Sequence, residues 1–300
     1  AETKTDHLAV IFDAGSKSFR NDIYSEYKAN RSEAPEDLIP QFSLIREATK
    51  AFNISYIELK GYEADDIIAT YARQAESSGC LVDIISSDKD LMQLVNDNIK
   101  MIDPLKMINI GKEEVLKKFG VYPNKVVDVQ ALAGDSTDNI PGVPGIGIKT
   151  AAELINKYGD LESLLNKAEE IKQPKRRDNL INYADLARIS MKLVKLDDEV
   201  KNIEDFKSFK RKDIDLKKLK DFLTKQGFNS LISRLPNIDD FKENGTAYIA
   251  LTEENQNKDT IISKQDNYQL IREEKILSDF VGKIYERGIV AIDTETTSID

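Results

Sequence analysis

The chain has 300 residues, 40% hydrophobic and 32% charged, with a formal net charge of -10, the balance of a folded globular protein. No apolar run approaches the roughly 20 residues of a membrane span, and the opening segment lacks the basic-then-apolar layout of a secretory or transit signal, so a cytoplasmic protein that meets no membrane is expected. The lone Cys80 and lone His7 exclude an internal disulfide, Cys- or His-based metal clusters, and Ser/His/Asp or Cys/His catalysis.

Leu8–Phe12 (LAVIF) reads as a buried strand ending at Asp13. FRNDIYSEYKANR, Phe19 to Arg31, mixes Arg20, Lys28 and Arg31 with Tyr24 and Tyr27, a blend of cations and rings suited to a nucleic-acid single strand but also ordinary on a protein surface. Ile54–Leu59 reads as a second strand followed by a helix from Glu63 to about Ser78. Leu81–Ser86 reads as a third, followed by a helix beginning near Asp88, and Ile99–Asp103 as a fourth. Strands alternating with helices predict an α/β fold with a mostly parallel sheet. From Lys112 to about Leu235 the pattern becomes helical. Residues 1–110 therefore read as an α/β core and 111–235 as a helical subdomain. Residues 236–265 look like a linker region rich in Asn, Asp, Glu, Lys and Gly. Residues 266–300 read as the beginning of a further domain, with a strand at Tyr268–Ile271, a helix at Glu273–Arg287 and a strand at Gly288–Asp293.

Acidic residues recur just past the predicted strands: Asp13; Glu63, Asp65 and Asp66; Asp88 and Asp90. The carboxyl ends of parallel strands line one crevice, and Asp135 and Asp138 of GDSTDN add a loop-borne pair. Each group alone is an unremarkable helix start or capped turn. Together, about eight carboxylates in one crevice repel one another unless cations neutralise them. Oxygen ligands alone select hard ions, Mg²⁺ or Mn²⁺, and a cluster of this size suits two ions about 3.5 to 4 Å apart, the arrangement of phosphoryl transfer. A phosphodiesterase is the leading inference.

The run IPGVPGIGIKTA places Gly142, Gly145 and Gly147 before a predicted helix starting near Ile148, with Lys149 in its first turn. It is neither a Walker loop nor a dinucleotide fingerprint, and it reads either as a helix–helix turn or as a backbone cradle for phosphate. Lys172 to Lys195 carries seven basic residues, including Arg176, Arg177, Arg188 and Lys192, against Asp178 and Asp185, a local net of +5 inside an acidic chain. Such a face is either solvated or tracks a phosphate backbone.

Taken in order, FDAGSKSFR, YKANR, YEADD, SSDKD and GDSTDNIPGVPGIGIKTA closely resemble the 5′ nuclease domains that accompany bacterial DNA polymerases, members of the flap endonuclease family, over about Leu8 to Leu235. The resemblance implies a PIN-like α/β core with a helix–hairpin–helix part. The activity it implies is metal-dependent 5′–3′ exonuclease or flap endonuclease cleavage of DNA at junctions of a 5′ single strand with duplex, in replication and repair. It implies that Asp13, Glu63, Asp65 and Asp66 serve a first metal site, that Asp88 and Asp90 bridge toward a second completed by Asp135 and Asp138, and that the ions are two Mg²⁺ or Mn²⁺. It gives Lys28, Arg31 and Asp66 catalytic roles, with Arg20 among the DNA contacts and Tyr27 stacking on a base. Gly142, Gly145, Gly147 and Lys149 would hold duplex phosphates with a K⁺ ion, beside Arg176, Arg177, Arg188 and Lys192. DTET at Asp293–Thr296 resembles the first motif of a proofreading 3′–5′ exonuclease and supplies Asp293 and Glu295. A monomer that continues into exonuclease and polymerase domains, acting on flap, nicked or gapped DNA, is expected.

Family members begin with a further strand ending in Asp-Gly, and nothing before Leu8 matches it. The expectation is therefore a fold lacking that strand, and the alternative function is a fragment that binds structured DNA without cutting it. A second rival, an aspartyl phosphatase suggested by IFDAGS, is disfavoured by Gly15, which stands where a second acid is usual.

Overall fold

The computed structural model describes residues 5–15, 17–235, 271 and 274–287. The expected linker, the strands at Tyr268–Ile271 and Gly288–Asp293, and the DTET motif with Asp293 and Glu295 lie outside the described residues, Ile271 apart. Two compact units divide the chain, Ala1–Ile249 and Ala250–Asp300.

In the first unit β1 (Ala9–Ile11) is followed by the single turn α1 (Arg20–Ile23) and by α2 (Gln41–Ala51). Strand β2 (Ser55–Ile57) pairs parallel to β1 in the register Ala9–Ser55, Val10–Tyr56, Ile11–Ile57. Because parallel strands end on the same side, Asp13 and the start of α3 (Ala64–Ser77) come together there. Helix α3 buries Ala69 and Ala72 in the main core and Ile67 and Tyr71 in a second cluster, each pair at helical spacing, while Asp65 and Asp66 sit in its first turn, where the helix dipole favours negative charge.

Strand β3 (Val82–Ile85) pairs parallel to β4 (Ile99–Asp103), which turns back into antiparallel β5 (Ile108–Ile110). Three sequence expectations change here. The segment after β3 is a short 3₁₀ turn, Asp90–Leu94, instead of a helix. A hairpin strand precedes the helical region, its apolar content diluted by Asn109 and its turn made by residues 104–107. The strands form two sheets, β1–β2 and β3–β4–β5, instead of one.

The helical part comprises α4 (Lys112–Phe119), α5 (Val126–Ala133), α6 (Ile148–Tyr158), α7 (Leu161–Asn166), α8 (Pro174–Asn182), α9 (Ala184–Val194), α10 (Leu216–Lys225) and the short α11 (Asn229–Ile232). Helix α5 packs between α6 and α9. Val126, Val129, Ala131 and Leu132 are fully buried, so α5 is apolar nearly all round, as a central helix must be. The main core runs from Ile84 and Leu91 through Met101 and Phe119 to Leu164 and Leu180, which joins the α/β and helical parts. The described part of the second unit is α12 (Glu274–Arg287), close to its expected bounds. No described helix is long and apolar enough to cross a membrane.

Candidate active site

A cavity of about 120 Å³ is lined by Asp13, Glu63, Asp65, Asp88, Asp90 and Asp138 together with Tyr27, Lys28 and Arg31. Each acid arrives by a separate local device. Asp13 follows β1, and its Oδ1 accepts from the Ala64 backbone N–H at 2.8 Å, which ties the strand end to the start of α3. Glu63 precedes α3; Asp65 lies one residue inside it. Asp88 Oδ1 accepts from the Asp90 N–H at 2.9 Å, an Asx turn that sets the spacing of that pair. Asp135 and Asp138 come from the loop after α5, closed by reciprocal Asp135–Ile140 backbone bonds of 2.9 and 2.7 Å. Two glycines permit that closure. A Cβ on Gly142, at φ +61°, would stand 2.4 Å from the Gly134 nitrogen, and one on Gly134 would stand 2.5 Å from the Ile140 carbonyl oxygen.

The field inside the cavity is strongly anionic. Burial, then the charges of Asp88, Asp90, Asp13 and Glu63, pushes the Asp65 carboxyl up to about 8. Burial also raises Asp90, outweighing Lys89 and Gln130. Elsewhere the protein's own cations relieve the repulsion. Lys28 Nζ bonds Glu63 Oε2 at 2.9 Å and stands 3.8 Å from Asp138, while Arg31 bonds Asp138 at 2.5 Å. Lys89 bonds Asp135 and stands 3.5 Å from Asp90. Burial pushes the Glu63 carboxyl up, but Lys28, Arg20 and the Ser18 hydroxyl outweigh it and hold the group below its ordinary range. Asp135 is likewise held low, the Lys89 bond and the Thr137 N–H overcoming its burial.

Among the described residues no three acidic side chains are already arranged to hold a metal ion. The donor set nonetheless fits hard divalent cations: it is all oxygen, it includes the Asp65 carboxyl raised by burial and by its acidic neighbours, and it draws lysine ammonium groups into the gaps.

Several sequence expectations land elsewhere. Asp66 is 0% exposed and faces away from the cavity. It takes a bidentate pair from Arg20, both distances 2.7 Å, and accepts from the backbone of Asp197 at 2.9 Å. Arg20, expected at DNA, is 1% exposed and also donates to the Leu193 carbonyl. Tyr27 is 5% exposed with its hydroxyl on Glu63 at 3.2 Å, so its ring has no open face for a base. Burial and the Glu63 charge keep its phenol protonated.

Of the proposed phosphate contacts, Gly142 spends its N–H on Ser190 Oγ at 2.9 Å. Gly145 lies in the turn leading to α6 and has φ +77°. Gly147 is the residue before α6, and Lys149 stands in the first turn. Arg188 is forked onto Glu162 at 2.8 and 2.9 Å and onto Asp185 at 3.0 Å, while Arg177 pairs with Asp178. Arg176 and Lys192 make no ion pair among the described residues. The site residues that the sequence did not single out are Lys89, inside the SSDKD motif itself, and Gln130, which donates to Asp90 at 2.5 Å. An amide on an otherwise apolar helix face was the available signal for the second.

Residues 1–120 match the family model described as 5′-3′ exonuclease, N-terminal resolvase-like domain, and residues 121–217 the one described as 5′-3′ exonuclease, C-terminal SAM fold. The chain is 41% identical over 238 residues to a 5′-3′ exonuclease of Aquifex aeolicus, covering 77% of this chain and 79% of the relative. It is 60% identical over 194 residues to DNA polymerase I of Rhizobium leguminosarum, covering 65% of this chain but 19% of that one. The chain thus spans about a fifth of the length of that polymerase. Among solved structures, T5 5′-exonuclease with bound divalent zinc ions superposes with a TM-score of 0.58 at 25% identity, over 63% of this chain and 74% of that one.

Proposed function

The chain belongs to the 5′-3′ exonuclease family, with a resolvase-like α/β part and a helical SAM-fold part, and from that premise we propose that it hydrolyses DNA phosphodiesters at 5′ single-strand/duplex junctions using two divalent cations. The observation that carries the proposal is the convergence of Asp13, Glu63, Asp65, Asp88, Asp90 and Asp138 on one cavity whose rim holds Lys28 and Arg31.

When bound, two ions supply an activated water and neutralise charge on the leaving oxygen. The residues do the rest. Asp13, Glu63 and Asp65 would hold one ion, and Asp88 and Asp90 would serve toward a second, completed by Asp135 and Asp138. Lys28 exchanges its Glu63 partner for the scissile phosphate, and Arg31, whose side chain is 52% exposed, closes on the same group from the rim. Both are cations placed where phosphoryl charge develops. Asp66 takes no part in this chemistry and holds the start of α3 in place through Arg20. The amino-terminal end of α6 and Lys149 would grip the duplex backbone, with K⁺ the monovalent ion expected beside them. Arg176 and Lys192 extend that grip. Mg²⁺ and Mn²⁺ are the expected cofactors. DTET supports a continuation into a proofreading domain of a polymerase, consistent with the DNA polymerase I relatives.

A second reading, binding of flap or gapped DNA without cleavage, is favoured by one observation: Lys28 and Lys89 already neutralise Glu63 and Asp135, and a site closed by internal cations needs no metal to bind DNA. The test is cleavage of a 5′-labelled flap duplex with Mg²⁺ and with EDTA. Product that requires Mg²⁺ supports the nuclease; metal-independent binding with no product supports the second reading.

A further inference from the structure

We propose that Gln130 is a positioning residue for the acidic site, its amide fixing the Asp90 carboxylate in the orientation in which that group meets a divalent cation; the proposal rests on the nuclease reading above. Gln130 lies on α5 and is 2% exposed, between the fully buried Val129 and Ala131. Its Nε2 donates to Asp90 Oδ1 at 2.5 Å. Its Oε1 is buried and has no hydrogen-bond partner among the described residues.

A buried acceptor without a partner costs about 1–3 kcal/mol. A methionine of nearly the same length would fill the same space without that cost. The fold therefore gains nothing from an amide here, and what the amide does return is the bond to Asp90. Asp90 has two side-chain partners. Lys89 stands 3.5 Å from Oδ1 and is itself drawn toward Asp135. A divalent cation entering the cluster repels that ammonium. Gln130 is neutral, so it stays. Both contacts fall on Oδ1, which leaves Oδ2 for the ion. Hydrogen-bonding partners of this kind hold metal-binding carboxylates in orientation, and their loss typically weakens metal affinity about 10- to 100-fold.

The experiment uses the full chain and Mn²⁺ alone. Calorimetric titration of Gln130→Met is expected to show one class of Mn²⁺ site weakened about 10-fold. Melting of the metal-free protein should be unchanged or higher, and the Mg²⁺ concentration giving half-maximal flap cleavage should rise by the same factor. A structural amide would do the opposite, lowering metal-free melting with Mn²⁺ affinity intact, and that result overturns the proposal. Gln130→Asn, which withdraws the amide by one methylene, should reproduce the weakened Mn²⁺ binding and serves if the methionine variant does not fold. Wild-type protein that cuts and binds Mn²⁺ no better than the variants sinks the Gln130 role alone; wild-type protein that neither binds Mn²⁺ nor cuts sinks the nuclease reading itself.

Discussion

Arg20 and Asp66 meet as a fork-to-fork pair, Nη1–Oδ2 and Nη2–Oδ1 each 2.7 Å, with the guanidinium 1% and the carboxylate 0% exposed. The pair joins the turn before the acidic cavity to the first turn of α3, and through the Leu193 carbonyl to the end of α9. Desolvating two charges is costly, so removing one partner strands the other. Arg20→Met should lose about 3–5 kcal/mol, a fall of about 6–20 °C in the midpoint of thermal unfolding for a domain of this size. The double variant Arg20→Met/Asp66→Leu should regain part of it. A midpoint unmoved by Arg20→Met would show that the pair carries no stability.

Asp65 makes stability depend on pH. Its carboxyl is pushed up to about 8, by burial first and then by Asp88, Asp90, Asp13 and Glu63, whereas in an unfolded chain it titrates near 4. Between those values the folded state keeps a proton that the unfolded state has released. The stabilisation is therefore complete below about pH 4 and is lost as pH rises through about 8. In EDTA the unfolding midpoint should fall from pH 5 to pH 8, and Asp65→Asn should flatten the fall. Mg²⁺ should raise the midpoint more at pH 8 than at pH 5. A wild-type midpoint that rises over this interval would contradict the assignment.

Local patterns wrote much of this into the sequence. Strands fall inside LAVIF, ISYIEL and LVDIIS, shorter than the runs themselves, and the acids that follow them, Asp13, Glu63, Asp65, Asp88 and Asp90, stand around one cavity. Asp66 shows where the pattern stops being sufficient. It differs from Asp65 by one position, hence by about 100° around a helix, and that rotation turns it from the cavity into the core. Arg20 and Tyr27 were legible as a cation and a ring but not as buried, because their partners lie 46 and 36 residues away. Arg188 stands on the solvent face, as its spacing implied, yet Glu162 across the helix pair takes its charge. The hairpin strand β5 escaped because three residues carry little periodicity.

Asp88 tests the chemistry without disturbing the core. Its carboxylate lines the cavity and raises Asp65. Asp88→Asn keeps the shape and the Asx turn to Asp90 but removes a charge that a divalent ion needs. Cleavage of a labelled flap should fall by about 10³, the equivalent of the several kcal/mol that an ion contributes. DNA affinity in Ca²⁺ should stay the same or tighten as anionic repulsion falls. Loss of binding along with cutting would make the carboxylates structural.

The basic face divides by ion pairing. Arg188 is engaged by Glu162 and Asp185, while Arg176 and Lys192 have no acidic partner among the described residues. Lys28 and Arg31 can be released when metal ions take over their carboxylates, but Arg188, held by two carboxylates away from the acidic cavity, has no such release and adds little to phosphate binding. Arg176→Ala and Lys192→Ala should each weaken flap binding and reduce the slope of log affinity against log salt by about 1. Arg188→Ala should leave that slope unchanged. Equal slopes for all three variants would refute this division.

Gly142 is required by the backbone rather than by a phosphate. Its φ of +61° already disfavours a side chain, and an added Cβ would lie 2.4 Å from the nitrogen of Gly134 and 2.7 Å from the Ala133 carbonyl carbon, neither of which can swing aside. Gly142→Ala should therefore spread the loop between Gly134 and Gly142, pulling Asp138 off the cavity and Asp135 off Lys89, at a cost of at least about 1 kcal/mol from the backbone conformation alone. Gly147→Ala, with no atom within 4 Å of the new methyl, is the matched control and should melt as the wild type does. The contrast is read by thermal unfolding and by Mg²⁺-dependent cleavage of the same flap. If Gly142→Ala folded and cut normally while Gly147→Ala weakened DNA binding, the close approach at Gly134 would not constrain the loop and the acids it carries.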